Sequence, residues 1–241
     1  MHPLDNAAYA SLTGPHAHVA ERYGRAVRYP VDMCPFVALP QPPEESDWAD
    51  LAALVGTGRV VPLPGITTVP PKWEVVTTFS GVQMVGPDIE AVPDPEAIPL
   101  GADDVPEMLD LVARTEPGPF RPRGIELGTF LGIRDGGRLV AMAGERLHPP
   151  GWTEISAVCT DPGYRGRGLA GRLIRALAAV IRERGDMPFL HATTSNTNAI
   201  RLYEKLGFTL RRTTVFLAAR VPAEPGLLES PGVGTGGSAP T

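Results

Sequence analysis

The chain has 241 residues, 43% hydrophobic and 20% charged, which is the composition of a globular protein rather than a disordered or fibrous one. Its 22 Lys and Arg against 27 Asp and Glu leave a formal charge of −5, which argues against a general nucleic-acid or membrane-surface binder. Cys34 and Cys159 make no spaced pair, no apolar run approaches the ~20 residues of a membrane helix, and Met1-His-Pro-Leu-Asp is no signal peptide, so a cytoplasmic protein with buried free thiols is expected.

In chain order, residues 1–95 read as an accessory α/β unit. Leu4 to Tyr23 has helical character interrupted by Gly14-Pro15. Strands are predicted at Arg25–Tyr29, Phe36–Leu39, Val60–Leu63 and Trp73–Phe79, and a helix over Glu44–Val55 opens on acidic residues that suit its dipole. His16-Ala-His18 has no third ligand nearby, so a surface or core role is preferred to a metal site.

Val92-Pro-Asp-Pro-Glu-Ala-Ile-Pro is the predicted linker to a second unit, residues 96–220. A helix follows Gly101, with Met108, Leu109 and Val112 as its apolar stripe. The Pro- and Gly-rich loop Thr115–Gly124 comes next. Then Phe130–Arg134 and Leu139–Leu147 form a hairpin across Asp135-Gly136-Gly137, and a central strand runs from Trp152 to Thr160.

Asp161-Pro162-Gly163 turns that strand into Arg165-Gly-Arg-Gly and then a long helix whose buried face is Leu169, Leu173, Leu177, Val180 and Ile181. Strand, glycine turn and helix start together make an anion cradle, because free N–H groups and the dipole's positive end converge there. From Asp161 to Arg212 ten Lys/Arg face four Asp/Glu, a local excess that suits phosphates or is simply a solvated face. Gly166-x-Gly168-x-x-Gly171 fits a dinucleotide fingerprint by letter. The following strand, Phe189–Thr194, brings no ribose-binding carboxylate, and the phosphate-loop Gly-Lys-Ser/Thr is absent.

Arg165-x-x-Gly168-x-Ala170 resembles the pyrophosphate-binding signature of the GNAT acetyltransferase superfamily, and Asn196-x-x-Ala199-Ile-x-Leu202-Tyr203-Glu-Lys-Leu-Gly207-Phe208 follows at the superfamily's spacing. The resemblance spans Ile98 to Ala219. It implies an α/β fold with a mixed sheet, the GNAT acyl-CoA N-acyltransferase fold, to which residues 1–95 add a degenerate half-repeat or a lid. It also implies a closing hairpin of strands Thr209–Arg212 and Thr214–Ala219.

By the same resemblance, acetyl-CoA is the co-substrate, with no metal. It is held by Val158, Cys159, Thr160, Arg165, Gly166, Arg167, Gly168, Leu169, Ala170 and Asn196. Tyr203 is implied as the acid that protonates the leaving sulfur. Glu154, by alternation on one face with Ser156 and Val158, is the expected base, its pKa raised by apolar walls; Glu145 and His191 are alternatives. Phe120, Arg121 and Arg123 are expected to touch the acceptor, a small primary amine or amino acid rather than a nucleic acid, bound by a monomer or homodimer. A non-catalytic acyl-CoA-binding module and a dinucleotide-binding oxidoreductase are the rival readings. The Gly-, Pro- and Ser-rich tail, 221–241, is expected to be disordered.

Overall fold

A computed structural model describes residues 2–223; most of the tail, residues 224–241, lies outside the described residues. Its elements, in order, are α1 (Ala7–Leu12), β1 (Glu21–Tyr23), β2 (Ala26–Arg28), β3 (Val37–Ala38), α2 (Glu45–Val55), β4 (Val60–Pro62), β5 (Glu74–Val85) and β6 (Ile98–Pro99). They continue with α3 (Val105–Thr115), β7 (Phe130–Asp135), β8 (Arg138–Glu145), β9 (Trp152–Thr160), α4 (Leu169–Glu183), β10 (Met187–Thr193), α5 (Thr197–Lys205) and β11 (Thr209–Arg220). The long helical stretch anticipated over Leu4–Tyr23 is a single short helix, because Gly14-Pro15 falls in the turn that ends it.

Eight strands form a mixed sheet in the order β4-β11-β5-β10-β9-β8-β7-β6; β1, β2 and β3 form a separate small sheet. β9 and β10 run parallel, joined through α4, and the other neighbours in the large sheet are antiparallel. Gly136 and Gly137, at φ 55° and 85°, make the tight β7–β8 turn that a right-twisted hairpin favours.

Two expectations change here. The chain after Gly207-Phe208 is not a hairpin but one strand, β11, bulged at Arg211, and its long antiparallel neighbour is β5. β5 is longer than anticipated, and it brings sequence from before residue 95 into the middle of the sheet. A boundary near that residue therefore does not divide the strands into separate sheets.

Alternation decides which face each helix covers. Leu131 and Ile133 of β7 pack with Leu173, Ile174, Leu177 and Ile181 of α4, whereas Phe130 packs with Met108 and Leu111 of α3. Thus α3 and α4 lie on opposite faces. The α3 stripe is Met108 and Leu111, with Leu109 and Val112 only partly covered.

The arginines on the outer side of α4 are not a solvated face. Arg172 is bidentate to Asp94 (2.6 and 2.8 Å) and reaches Glu96, Arg175 faces Glu90, and Arg182 donates to the carbonyls of Gly86 and Pro87. The predicted linker is therefore strapped along the helix by charge-assisted bonds, and the local excess of positive charge is largely neutralised by carboxylates from outside that segment.

Residues 2–38 seat their own core on the sheet through Leu127, Leu147 and Phe189. His16 is part of this contact: its Nδ1 lies 2.9 Å from the Tyr29 hydroxyl, and its ring sits 4.6 Å from that of His148. Among the described residues no helix is long and apolar enough to cross a membrane, and no group of three or more His, Cys, Asp or Glu is placed to hold a metal ion.

Burial, with help from the facing His148, pushes the His16 imidazole down to about 4 from the 6.5 of an unburied histidine. Between those values the unfolded chain binds the extra proton, so His16 removes stability as pH falls. On lowering the pH from 7 to 5, urea unfolding should show a loss of about 2 kcal/mol from this group; the His16→Gln variant should show a correspondingly shallower decline.

Candidate active site

β9 and β10 pair only at Met187↔Trp152, Pro188↔Thr153 and Phe189↔Glu154, then separate. A bulge in β9 accompanies the separation. Gly144 pairs with Ser156 but Met142 with Cys159, so three residues of β9 span two of β8, and Ala157 takes a left-handed φ of 51°. From Ile155 to Thr160 the β9 edge facing β10 has no strand partner. The opening leads into a cavity of about 1070 Å³.

Below this edge lies the start of α4. Gly166 and Gly168 hold φ of 79° and 76°, a region any Cβ would strain, and so turn the backbone into the helix. The N–H groups from Gly166 to Gly171 have no hydrogen-bond partner among the described residues. The preceding turn is pinned by Asp161, whose carboxylate accepts from Arg114, Arg138 and the Gly163 amide. An anion placed here meets a row of free amides at the positive end of a 15-residue helix.

The structure brings most of the anticipated residues to this cavity. Val158, Cys159 and Thr160 border it from β9; Arg165, Gly166, Gly168, Leu169 and Ala170 from the turn; Asn196 and Tyr203 from α5. Asn196 caps α5, its side chain accepting from the Ala199 amide at 3.2 Å. Tyr203 is nearly buried, and burial pushes its phenol up to about 12, so the hydroxyl keeps its proton at neutral pH. Arg167 is the exception in the turn: its guanidinium stacks over the Tyr164 ring at 4.6 Å and does not border the cavity.

Of the acceptor candidates only Arg121 borders the cavity. Phe120 packs its ring on Phe130 at 5.3 Å, and Arg123 is tied to Glu126 and Asp32.

Glu154 does not share a face with Val158 as alternation expected. The bulge places Val158 on the same face as Ile155, with the α4 core, and sends Ala157 and Cys159 to the α3 side. Glu154 is fully buried and does not border the cavity. Its carboxylate accepts from Arg146 at 2.9 and 2.7 Å and pairs with His191 Nδ1 at 2.7 Å. Burial opposes its ionisation, but the charge and hydrogen bonds of Arg146, with the bond from His191, outweigh it and hold the group at about 2. The expected raised pKa is thus reversed, and both carboxylate oxygens are already bonded within the protein.

His191 borders the cavity, yet both its nitrogens are engaged. Gln83 Nε2 donates to the Leu4 carbonyl, and Gln83 Oε1 accepts from Arg211 at 2.7 Å, which fixes the amide's orientation. His191 Nε2 therefore accepts from Gln83 (3.0 Å), and Nδ1–H donates to Glu154. Glu145, the other alternative, is enclosed by Arg184, His148 and the Thr129 amide and lies outside the cavity.

The cavity also has a wall that sequence reasoning missed. Pro35, Phe36, Pro62, Pro64, Thr77 and Phe79, all from before residue 95, border it together with Arg146 and Glu116. Of these, Arg146 alone left a trace in the sequence, as a charge complementary to Glu154; it is recognisable only once Arg146 N–H is seen to pair with the Glu154 carbonyl across the strands.

Comparison with known proteins follows the same lines. The FR47-like protein family model matches residues 130–217. A solved structure from Novosphingobium aromaticivorans, assigned to the GNAT family of acetyltransferases, is 39% identical, covers 92% of this chain and 99% of that one, and superposes with a TM-score of 0.82. The chain belongs to the GNAT family.

Among curated relatives, the N-alpha-acetyltransferase RimI of Mycobacterium tuberculosis is 40% identical over 82 residues, 33% of this chain and 51% of that protein. The mycothiol acetyltransferase of Thermomonospora curvata is 40% identical over 102 residues, 42% of this chain and 32% of that protein. The chain thus spans about half or less of the length of these relatives.

In this GNAT chain the Arg146–Glu154 pair is structural. Removing one partner leaves a buried unpaired charge, so Arg146→Met should cost about 3–5 kcal/mol in urea unfolding. The double variant Arg146→Met, Glu154→Leu should recover most of that loss.

Proposed function

We propose that this chain is an acetyl-CoA-dependent N-acetyltransferase acting on a primary amine of a small molecule or amino acid. The observation that carries the reading is the separation of β9 from β10 directly above the unpartnered amides of Gly166 to Gly171, with the Tyr203 hydroxyl bordering the same cavity. The names of the relatives, both acetyltransferases, support it.

The residues present fit the co-substrate. A diphosphate suits the amides of the turn, with Arg165 beside them, and the free edge of β9 suits the amide groups of an extended pantetheine arm. Bound acetyl-CoA would supply a thioester whose carbonyl is open to attack by a neutral amine. An N–H on the β9 edge polarises that carbonyl oxygen as charge develops on it. Tyr203, protonated at neutral pH, gives its proton to the departing sulfur.

Transfer is direct. Cys159 is the only thiol bordering the cavity among the described residues, and burial raises it to about 11, which keeps it protonated and unsuited to carry an acyl group. With Glu154 locked to Arg146, the one carboxylate bordering the cavity among the described residues is Glu116, and it is the group we assign, through water, to the proton the amine sheds.

Steady-state thiol release from acetyl-CoA with an amine panel tests this. Tyr203→Phe should lower kcat on the order of a hundredfold or more, while calorimetric titration gives an unchanged Kd for coenzyme A. Binding of coenzyme A without turnover on any amine supports the acyl-CoA-binding module instead, and binding of NAD in its place supports the oxidoreductase.

A further inference from the structure

Two arginines border the cavity without a carboxylate partner among the described residues: Arg165, at the helix start assigned to the diphosphate, and Arg121, exposed on the loop after α3. Arg146 borders the cavity and lies 4.9 Å over the Phe36 ring, but its Nε and Nη2 are bonded to the Glu154 carboxylate, which balances its charge. Arginines around it are likewise engaged: Arg114 and Arg138 with Asp161, Arg134 with Asp104 and Glu107, Arg123 with Glu126. Arg121 has no hydrogen bond or ion pair from its side chain among the described residues, and it faces the same space.

Its backbone is nonetheless fixed. Phe120 is packed on Phe130, the Arg121 carbonyl accepts from the Gly124 amide at 2.8 Å, and the Arg123 amide donates to the Asp32 carbonyl at 2.9 Å. The loop is anchored on both sides of a side chain left free, whereas its neighbours turn away from the cavity. The same cavity is bordered by the apolar side chains of Phe36, Phe79, Pro62 and Pro64.

We infer that Arg121 reads an anionic group on the acceptor, which is therefore an amine carrying a carboxylate on an apolar body, the chemistry of an apolar amino acid. The inference rests on the acyltransferase reading and adds the acceptor's class to it. A guanidinium presents paired donors that match a carboxylate's two oxygens. An amine lacking the carboxylate leaves those donors to water and loses that contact. Arg121 acts on specificity and does not touch the reacting atoms.

The test compares L-phenylalanine with phenethylamine, which share the amine and the apolar ring and differ in the carboxylate. The native protein should favour phenylalanine at least tenfold in kcat/KM, mainly through KM. Arg121→Gln should erase that preference while leaving the KM for acetyl-CoA unchanged, and Arg121→Lys should restore some of it. As a readout independent of turnover, N-acetyl-phenylalanine should bind the coenzyme A complex at least tenfold more tightly than N-acetyl-phenethylamine, and this difference should vanish in Arg121→Gln. Equal use or equal binding of the two compounds, no binding of either, or a preference that survives Arg121→Gln overturns the inference. Failure of the acyltransferase reading looks different: coenzyme A then does not bind, or it binds and no amine of the panel releases thiol from acetyl-CoA.

Discussion

One constraint organises the site: β9 must leave its parallel partner half-way along its length. A parallel pair that continued to Thr160 would satisfy the β9 edge with β10 and close the cavity. The bulge at Ala157 reorients the strand at that point, and the left-handed φ of a non-glycine residue there is strain of order 1 kcal/mol that the surrounding packing holds in place. Ile155 and Val158 are gripped by the α4 core on one side, Ala157 and Cys159 by the α3 cluster on the other. Opposed packing of this kind over-determines the bulge, so the edge stays available without being free to move.

The closed end of the fork is held differently. Where β9 and β10 still pair, a chain of side chains runs Arg146, Glu154, His191, Gln83, Arg211, Asp5, each bonded to the next. The chain ties β9, β10, β5 and β11, and the residue just after β8, to the first turn of the protein. Such a network rigidifies only when every member is satisfied, and here Gln83 meets that condition by giving its amide to Leu4 and its oxygen to Arg211. Residues near the cavity that look like an acid–base set are thereby the frame that holds its inner end. Tyr203 is the contrasting case: its elevated pKa comes from burial alone, with no hydrogen-bonded or charged neighbour contributing to it.

What was legible in the sequence was local. The turn from Arg165 to Ala170, the cap at Asn196, Tyr203 on the helix that Gly207-Phe208 closes and the Gly136-Gly137 hairpin are each written in a few consecutive residues, and the chemistry of those residues fixes the backbone nearby. What was not legible depends on pairing across long separations. β5 joins β11 by partners such as Val82 and Thr213, and nothing in either strand names the other. The shared face expected for Glu154 and Val158 failed because strict alternation was assumed through a bulge that has no glycine or proline to announce it. Arg121 and Arg123 share one loop and the same chemistry, and only the carboxylates of Glu126 and Asp32 decide that one is consumed and the other left free.

The most direct measurement of the central claim is amide hydrogen exchange with and without coenzyme A. If the fork and the helix start form the binding site, protection should appear at the amides of Gly166 to Gly171 and along β9 from Ser156 to Thr160, and should leave the outer strands β6 and β4 unchanged. Coenzyme A binding that protects other segments, with exchange at Gly166 to Gly171 unaltered, would contradict the account.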